Sequence, residues 1–467
     1  MIIIKHPSGY MEERNYIFKT IFEEFLGLSF KSQKISGDQV QISLKDDLSQ
    51  RVLVFPDILF QTNLDKWLTL ESMPKEPLLI WDIAKSLPEV RLTNSEIPIL
   101  YGKPFNNEMW FKQNENVIRL GLDIFGSIFF MLTRYEELVL SDRDEHERFP
   151  ARASLLYRNR FLERPLVNEY LEILWNCMKR LWPGLERKNR VYKVLLSHDV
   201  DHPFISYDQK WTQIFRNIAG DLIRRKDMNL AFQRINCRIR SSPKLDPANT
   251  FDFIMDLSER YGIRSEFYFM TDHTAGPLDG SKYSIESPEI KYLMRRIYER
   301  GHKIGFHASY NSFCDFKRIK DEFEKLITIA EELGIKQDSW GGRQHYLRFK
   351  NPITWQNWED AGLNYDSTVG FADHIGFRCG TCYEFPVFNL KTKKMLNLIE
   401  FPLIVMEGTL WGSNYMNLKL DEIIERVISL SKICRNYEGI FTLLWHNTSL
   451  LEKSQKKIYL EIIDDII

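Results

Sequence analysis

Four ionisable side chains fall within the stretch VLLSHDVDHP, residues 194–203: His198, Asp199, Asp201 and His202. The run before them, Val191–Leu196, is apolar enough to form a buried strand, so the carboxylates and imidazoles sit where that strand ends. Residues two apart on an extended strand point the same way, about 7 Å apart at the backbone, so Asp199 and Asp201 address one point. Two aspartates so placed repel unless something cationic lies between them. A metal site or a proton-transfer site is the chemistry this spacing invites; a helix cap or a salt-bridge pair is the structural alternative.

Further imidazoles recur at equivalent places. Eight of the ten histidines lie after residue 197; His307 ends HKIGFH, His345 lies in GGRQHY and His446 ends IFTLLWH. Strand ends of an α/β fold share one rim, where backbone pairing stops and side chains face a crevice. The pattern therefore predicts that these histidines meet the Asp199/Asp201 stretch.

The elements that would position them alternate regularly. Helix 250–261 leads to strand 265–270, helix 288–299 to strand 302–307, helix 316–333 to a strand near Asp338–Trp340, and helix 352–361 to strand 364–367. A hairpin-like pair (383–389 and 398–406) is followed by helix 419–436 and strand 440–446. Glycines 262, 301, 334, 362 and 439 close the helices. Strand–helix pairs of this length build a parallel sheet or a (β/α) barrel. Residues 205–245 are basic, carry two helices (211–225 and 229–239), and read as an insertion at the rim, either a substrate lid or a passive surface excursion.

Residues 1–190 read as a smaller α/β domain of unknown role. A helix is expected at 15–28, strands at 39–44, 51–60 and 77–83, a mostly buried helix at 121–140 and an amphipathic helix at 165–181. Arg134, Glu136 and Arg148 read as paired structural charges locking a helix to a loop, with ligand binding as the alternative.

Length and composition bound the function. A chain of 467 residues exceeds one ordinary domain. Its 63 basic and 64 acidic side chains give a net charge of -1, which argues against nucleic acid as a partner. The longest apolar run, Ile118–Leu132, is interrupted by Asp123 and falls short of the roughly 20 residues that span a bilayer. With an N-terminus unlike a secretory signal, a soluble cytoplasmic protein without an integral membrane segment is expected. Six scattered cysteines suit a reduced protein, and the lone pair Cys379/Cys382 reads as ordinary thiols.

SHDVD, GHKIGFHASYNS, GGRQHYLRF, NYDSTVGF and LLWHN resemble, in order and approximate spacing, the motifs of the polysaccharide deacetylase family, metal-dependent carbohydrate esterases. The resemblance covers residues 191–467 and implies a distorted (β/α) barrel preceded by the smaller α/β domain. It implies Asp199 as general base, Arg343 as the group orienting it and His446 as general acid, with Asp366 fixing His446 or Arg343. Asp201 and His307 are implied as ligands of a divalent metal, zinc being expected. The family's second metal histidine falls on Asn311, so Asn311, His202 or another group must fill that place, or the metal is lost. His345 is a replacement ligand or substrate contact, with a structural histidine as the alternative. Tyr346 and Trp445, with Trp411 and Tyr415, are candidate contacts for an acetylated carbohydrate, or else buried aromatics. The implied reaction is removal of an acetyl group from a sugar of surface polysaccharide assembly. The alternatives are a decayed barrel that binds glycan, or hydrolysis of another C–N bond.

Overall fold

A computed structural model describes residues 1–467 apart from 91, 107, 108 and 208. The N-terminal strands are β1 (Ile2–His6), β2 (Phe30–Lys34), β3 (Gln39–Leu44), β4 (Val52–Pro56), β5 (Leu79–Asp82), β6 (Glu96–Ile99), β7 (Phe111–Gln113) and β8 (Val117–Leu120). Six of them form a mixed sheet in the order β2-β1-β3-β4-β8-β7, while β5 and β6 pair separately.

The long helix expected at 121–140 is two pieces. Asp123 caps the first by accepting from the Gly126 amide, and Ile124–Leu132 is helical. Arg134 then takes a left-handed φ of 51°, and a short helix follows at Glu136–Val139. The break buries the Arg134 guanidinium between Glu136 and Glu137, both 2.8 Å away. Here a tertiary ion-pair network overrides helical continuity.

Nine strands make the second sheet: β9 (Lys193–Val200), β10 (Glu266–Phe269), β11 (Lys303–Ala308), β12 (Gly341–Gln344), β13 (Tyr365–Asp366), β14 (Phe385–Asn389), β15 (Lys394–Glu400), β16 (Val405–Met406) and β17 (Ile440–Leu444). Their order is β14-β15-β13-β12-β11-β10-β9-β17-β16. Only the β14–β15 pairing is antiparallel. The last long strand thus returns beside the first, as in a barrel, with the sheet left open between β14 and β16. In a flat sheet β9 and β12 would lie about 14 Å apart, three strand spacings. Arg343 on β12 instead touches Asp199 on β9 at 2.7 Å, and Tyr365 on β13 bonds Glu266 on β10 at 2.9 Å. Contacts across so many strands require the sheet to curl.

The strand expected near Asp338–Trp340 begins only at Gly341. Its glycines answer to close approach, because a Cβ on Gly342 would meet the Phe306 carbonyl oxygen at 1.8 Å. The expected hairpin strand 398–406 is divided between β15 and β16.

One continuous apolar core joins the two sheets. Tyr16 lies 4.8 Å from Phe388 ring to ring, and its hydroxyl donates to the Pro386 carbonyl at 2.9 Å. Among the described residues no helix is long and apolar enough to cross a membrane.

Candidate metal centre and catalytic cavity

Strand β9 is buried from Leu196 to its end, which carries Asp199 to the carboxyl rim of the sheet. Asp199 is almost fully buried and accepts from Arg343 Nη1 at 2.7 Å. Arg343 in turn donates to the Ser197 hydroxyl at 3.0 Å and to the Ser367 carbonyl at 2.8 Å, so the guanidinium is fixed from three sides.

Asp201 stands at the centre of the imidazoles. Its Oδ1 lies 3.1 Å from His307 Nε2 and 3.6 Å from His345 Nε2, and its Oδ2 lies 3.5 Å from His446 Nε2. Burial would raise its pKa, but the facing His345 and His307 outweigh burial and hold it well below the carboxylate range.

The donor atoms of Asp201, His307 and His345 lie within 4.8 Å of one another. His307 Nδ1 donates to the Arg343 carbonyl at 2.9 Å, which orients the ring and turns Nε2 toward Asp201. That buried Nε2 has no hydrogen-bond partner, and neither has Asp201 Oδ1. A buried carboxylate oxygen and imidazole nitrogen at this distance need something positive between them, a proton on the ring or a metal cation that takes its place. Two imidazoles and a carboxylate are a donor set suited to zinc or a similar transition metal.

His345 is oriented by a second carboxylate. Its Nδ1 lies 3.3 Å from Asp279 Oδ1, which also accepts from the Tyr310 amide at 2.7 Å. Burial lowers the His345 pKa, but Asp201 and then Asp279 overcome it and raise it to about 9. Gly280, at φ 70°, lets this loop close on the site: a Cβ there would meet the Asp201 carbonyl oxygen at 2.5 Å.

His446 stands opposite. Glu407 Oε1 accepts from its Nδ1 at 2.6 Å and from its backbone amide at 3.0 Å. Against the lowering effect of burial, Glu407 and more weakly Asp201 raise the imidazole to about 10, so it is a proton donor at neutral pH.

A cavity of about 280 Å³ opens onto Asp199, Asp201, His345, His446, Tyr346 and Tyr415. Arg148 also lines it, with Nη1 on the Tyr346 carbonyl at 3.1 Å and Nη2 on the Tyr415 hydroxyl at 3.2 Å. Tyr346 and Leu347 are both left-handed, at φ 61° and 54°, a strained pair of the kind that collects at functional sites.

Several expectations need correction. Asn311 is exposed and its amide donates to the Thr274 carbonyl, so it takes no part in the cluster; His345 supplies the second imidazole. His202 is half-buried nearby but lies outside the three-residue donor group. Asp366 fixes neither His446 nor Arg343: it accepts from the Thr368 amide at 3.0 Å and stands against Glu400, while Glu407 performs the role expected of it. Trp445 is fully buried between Trp411 and Tyr459, at 5.2 and 5.0 Å, and does not line the cavity. Cys379 and Cys382 are buried free thiols. Sequence reasoning missed Glu407 and Asp279; Arg148, read there as a structural charge with ligand binding as the alternative, lines the cavity.

A family model described as a family of unknown function (DUF7033) matches residues 2–183. No curated protein matches the chain. Among matching crystal structures are a probable polysaccharide deacetylase from Pseudomonas aeruginosa PAO1, Puue allantoinase, and a mutant CE4 family pseudoenzyme with restored enzymatic activity. The first is 10% identical with a TM-score of 0.37, covering 67% of this chain and 90% of its own. For the allantoinase the values are 11%, 0.37, 61% and 85%. For the pseudoenzyme mutant they are 10%, 0.31, 63% and 79%.

Proposed function

We propose that the chain is a metal-dependent hydrolase that removes an acetyl group from an acetylated sugar of surface polysaccharide assembly. The observation that carries this reading is the convergence of Asp201, His307 and His345 between a buried carboxylate held by arginine and a histidine held by glutamate.

A divalent ion, zinc by its donor set, would be held by Asp201, His307 and His345 and would supply Lewis-acid polarisation of the acyl carbonyl and a more acidic water. Asp199 accepts the proton of the attacking water, and Arg343 holds that carboxylate in place. A backbone amide near Tyr346 donates to the developing oxyanion. His446 gives its proton to the departing amine or alcohol and is restored by Asp199's proton through solvent. Glu407 keeps it charged until then. Tyr346 and Tyr415 present aromatic faces to a sugar ring, and His345 sits beside it.

In this reading residues 191–467 are the catalytic barrel, with 205–245 inserted at its rim, and residues 1–190 form a smaller domain that lends Arg148 to the cavity. All six cysteines are free, which suits a reducing compartment such as the cytoplasm.

The test is acetate release from acetylated oligosaccharides by zinc-loaded protein. Release that vanishes in Asp199→Asn supports the reading. Bound metal without release from any acetylated substrate points to hydrolysis of another C–N bond, and glycan binding with neither metal nor release points to a non-catalytic barrel.

A further inference from the structure

The insertion after β9 folds as a helical hairpin, with helix Trp211–Gly220 running on through a wider π turn to Arg225 and packing against helix Met228–Arg240. It is firmly anchored. Arg234 reaches the buried Asp221 at 2.6 Å and the Ser206 hydroxyl at 3.2 Å. Asp246 accepts from the amides of Ser206 and Tyr207 at 2.7 and 2.8 Å.

Each helix buries one side against the protein and leaves an apolar stripe outside it. Ile214 in the first helix and Leu230, Ala231 and Cys237 in the second face the protein. The outer stripe runs through Trp211, Phe215, Ile218 and Leu222, and is repeated at Met228, Phe232, Ile235 and Ile239, the same i, i+4, i+7, i+11 spacing on both helices. In these two stripes only Ile218 and Ile235 are half-buried; Phe215 is 63% exposed, Met228 77% and Phe232 65%. Ile223, beside Leu222, is 75% exposed. Of the nineteen large apolar side chains exposed among the described residues, seven fall between Trp211 and Ile239. The stripes lie on one side of the hairpin, since Arg238 of the second helix sits over the Trp211 ring of the first at 5.6 Å.

Around this face Lys210, Arg216, Arg224, Lys226 and Arg240 are exposed and form no ion pair among the described residues. An apolar face with tryptophan and phenylalanine, flanked by unpaired cations, matches the headgroup boundary of an anionic bilayer: the aromatics enter the acyl region and the cations meet phosphate.

We propose that this hairpin docks the protein on an anionic membrane surface. It springs from the loop that follows Asp199 and Asp201, so docking would hold the carboxyl rim of the sheet close to lipid-borne carbohydrate. The docking itself stands apart from the proposed hydrolysis.

The test is flotation of the full chain with vesicles, scored without any enzyme assay. Wild type should float with phosphatidylcholine vesicles containing phosphatidylglycerol, and less so at high salt and with phosphatidylcholine alone. Phe215→Ser/Ile223→Ser/Phe232→Ser should partition about tenfold less while keeping its thermal unfolding midpoint, since all three side chains are solvent-exposed. Arg216→Gln/Arg224→Gln/Lys226→Gln should lose the preference for anionic lipid. No flotation with any vesicle, or equal flotation of the serine variant, overturns the proposal. So does a dimer in sedimentation velocity that the serine variant dissolves, without vesicle binding, which would assign the face to a second copy of the chain.

Discussion

Glu407 grips His446 twice through one oxygen, Oε1 accepting from the ring Nδ1 at 2.6 Å and from the backbone amide at 3.0 Å. The ring is therefore fixed in place and in charge. Glu407→Gln keeps an acceptor at that position but removes the charge. We expect kcat to fall by about 10- to 100-fold with KM and metal content little changed. The alkaline limb of the rate profile should move to lower pH, because less charge then holds the imidazolium together. A merely structural Glu407 would leave that limb where it is.

Asp199 and Arg343 are a buried pair, so two substitutions separate charge from packing. Asp199→Asn retains a hydrogen-bond acceptor for Arg343 and should cost activity by about 10²- to 10⁴-fold. Asp199→Ala should cost as much activity and in addition about 3–5 kcal/mol of stability, since the fully buried guanidinium loses its counter-ion. Urea unfolding of the two variants side by side measures the difference.

Asp279 and Asn311 give opposite expectations for metal affinity. Asp279→Ala frees the ring of His345 and should weaken zinc binding by about 10- to 100-fold in a chelator competition. Asn311→Ala should leave the affinity as it is, because its side chain faces Thr274 and solvent.

The Asp366–Glu400 pair sets a pH dependence of stability. Burial raises both acids, and for Glu400 the charge of Asp366 adds to it. The folded protein thus holds protons that the unfolded chain releases. Its stabilising share is full below the ordinary carboxylate range and fades as pH rises through the raised values. In Asp366→Asn, Oδ1 continues to accept from Thr368, and the amide that replaces Oδ2 can donate to Glu400. The variant should gain about 1–2 kcal/mol at about pH 8 and little at about pH 4, read as thermal midpoints against pH.

Much of the site is legible where an ionisable group follows an apolar run, because such a strand ends at the carboxyl rim of the sheet. Asp199, Asp201, His307 and His446 were found that way. Glu407 carries the same signal, directly after the apolar run Leu403–Met406 that ends in β16, but that run reads as the second arm of a hairpin and the glutamate as the start of the short helix Glu407–Trp411. Asp279 sits in a single turn of 3-10 helix, and Arg148 comes from a loop of the N-terminal region, so only tertiary packing brings them to the site. Asn311 holds a ligand's position in the motif but not in space, since its side chain turns to the Thr274 carbonyl. For the fold, the alternation of helices and strands is readable, while GGRQ lacks a strand signal: its glycines have low strand propensity and serve close contacts, Gly342 with β11 and Gly341 with β13.

Whether Asp201, His307 and His345 hold a metal is read by elemental analysis of the purified wild type and of His345→Ala. The wild type should contain about one equivalent of zinc or a similar ion. His345→Ala should lose both that metal and the release of acetate. Undiminished metal in His345→Ala, or acetate release by a wild type that contains none, would contradict this metal site.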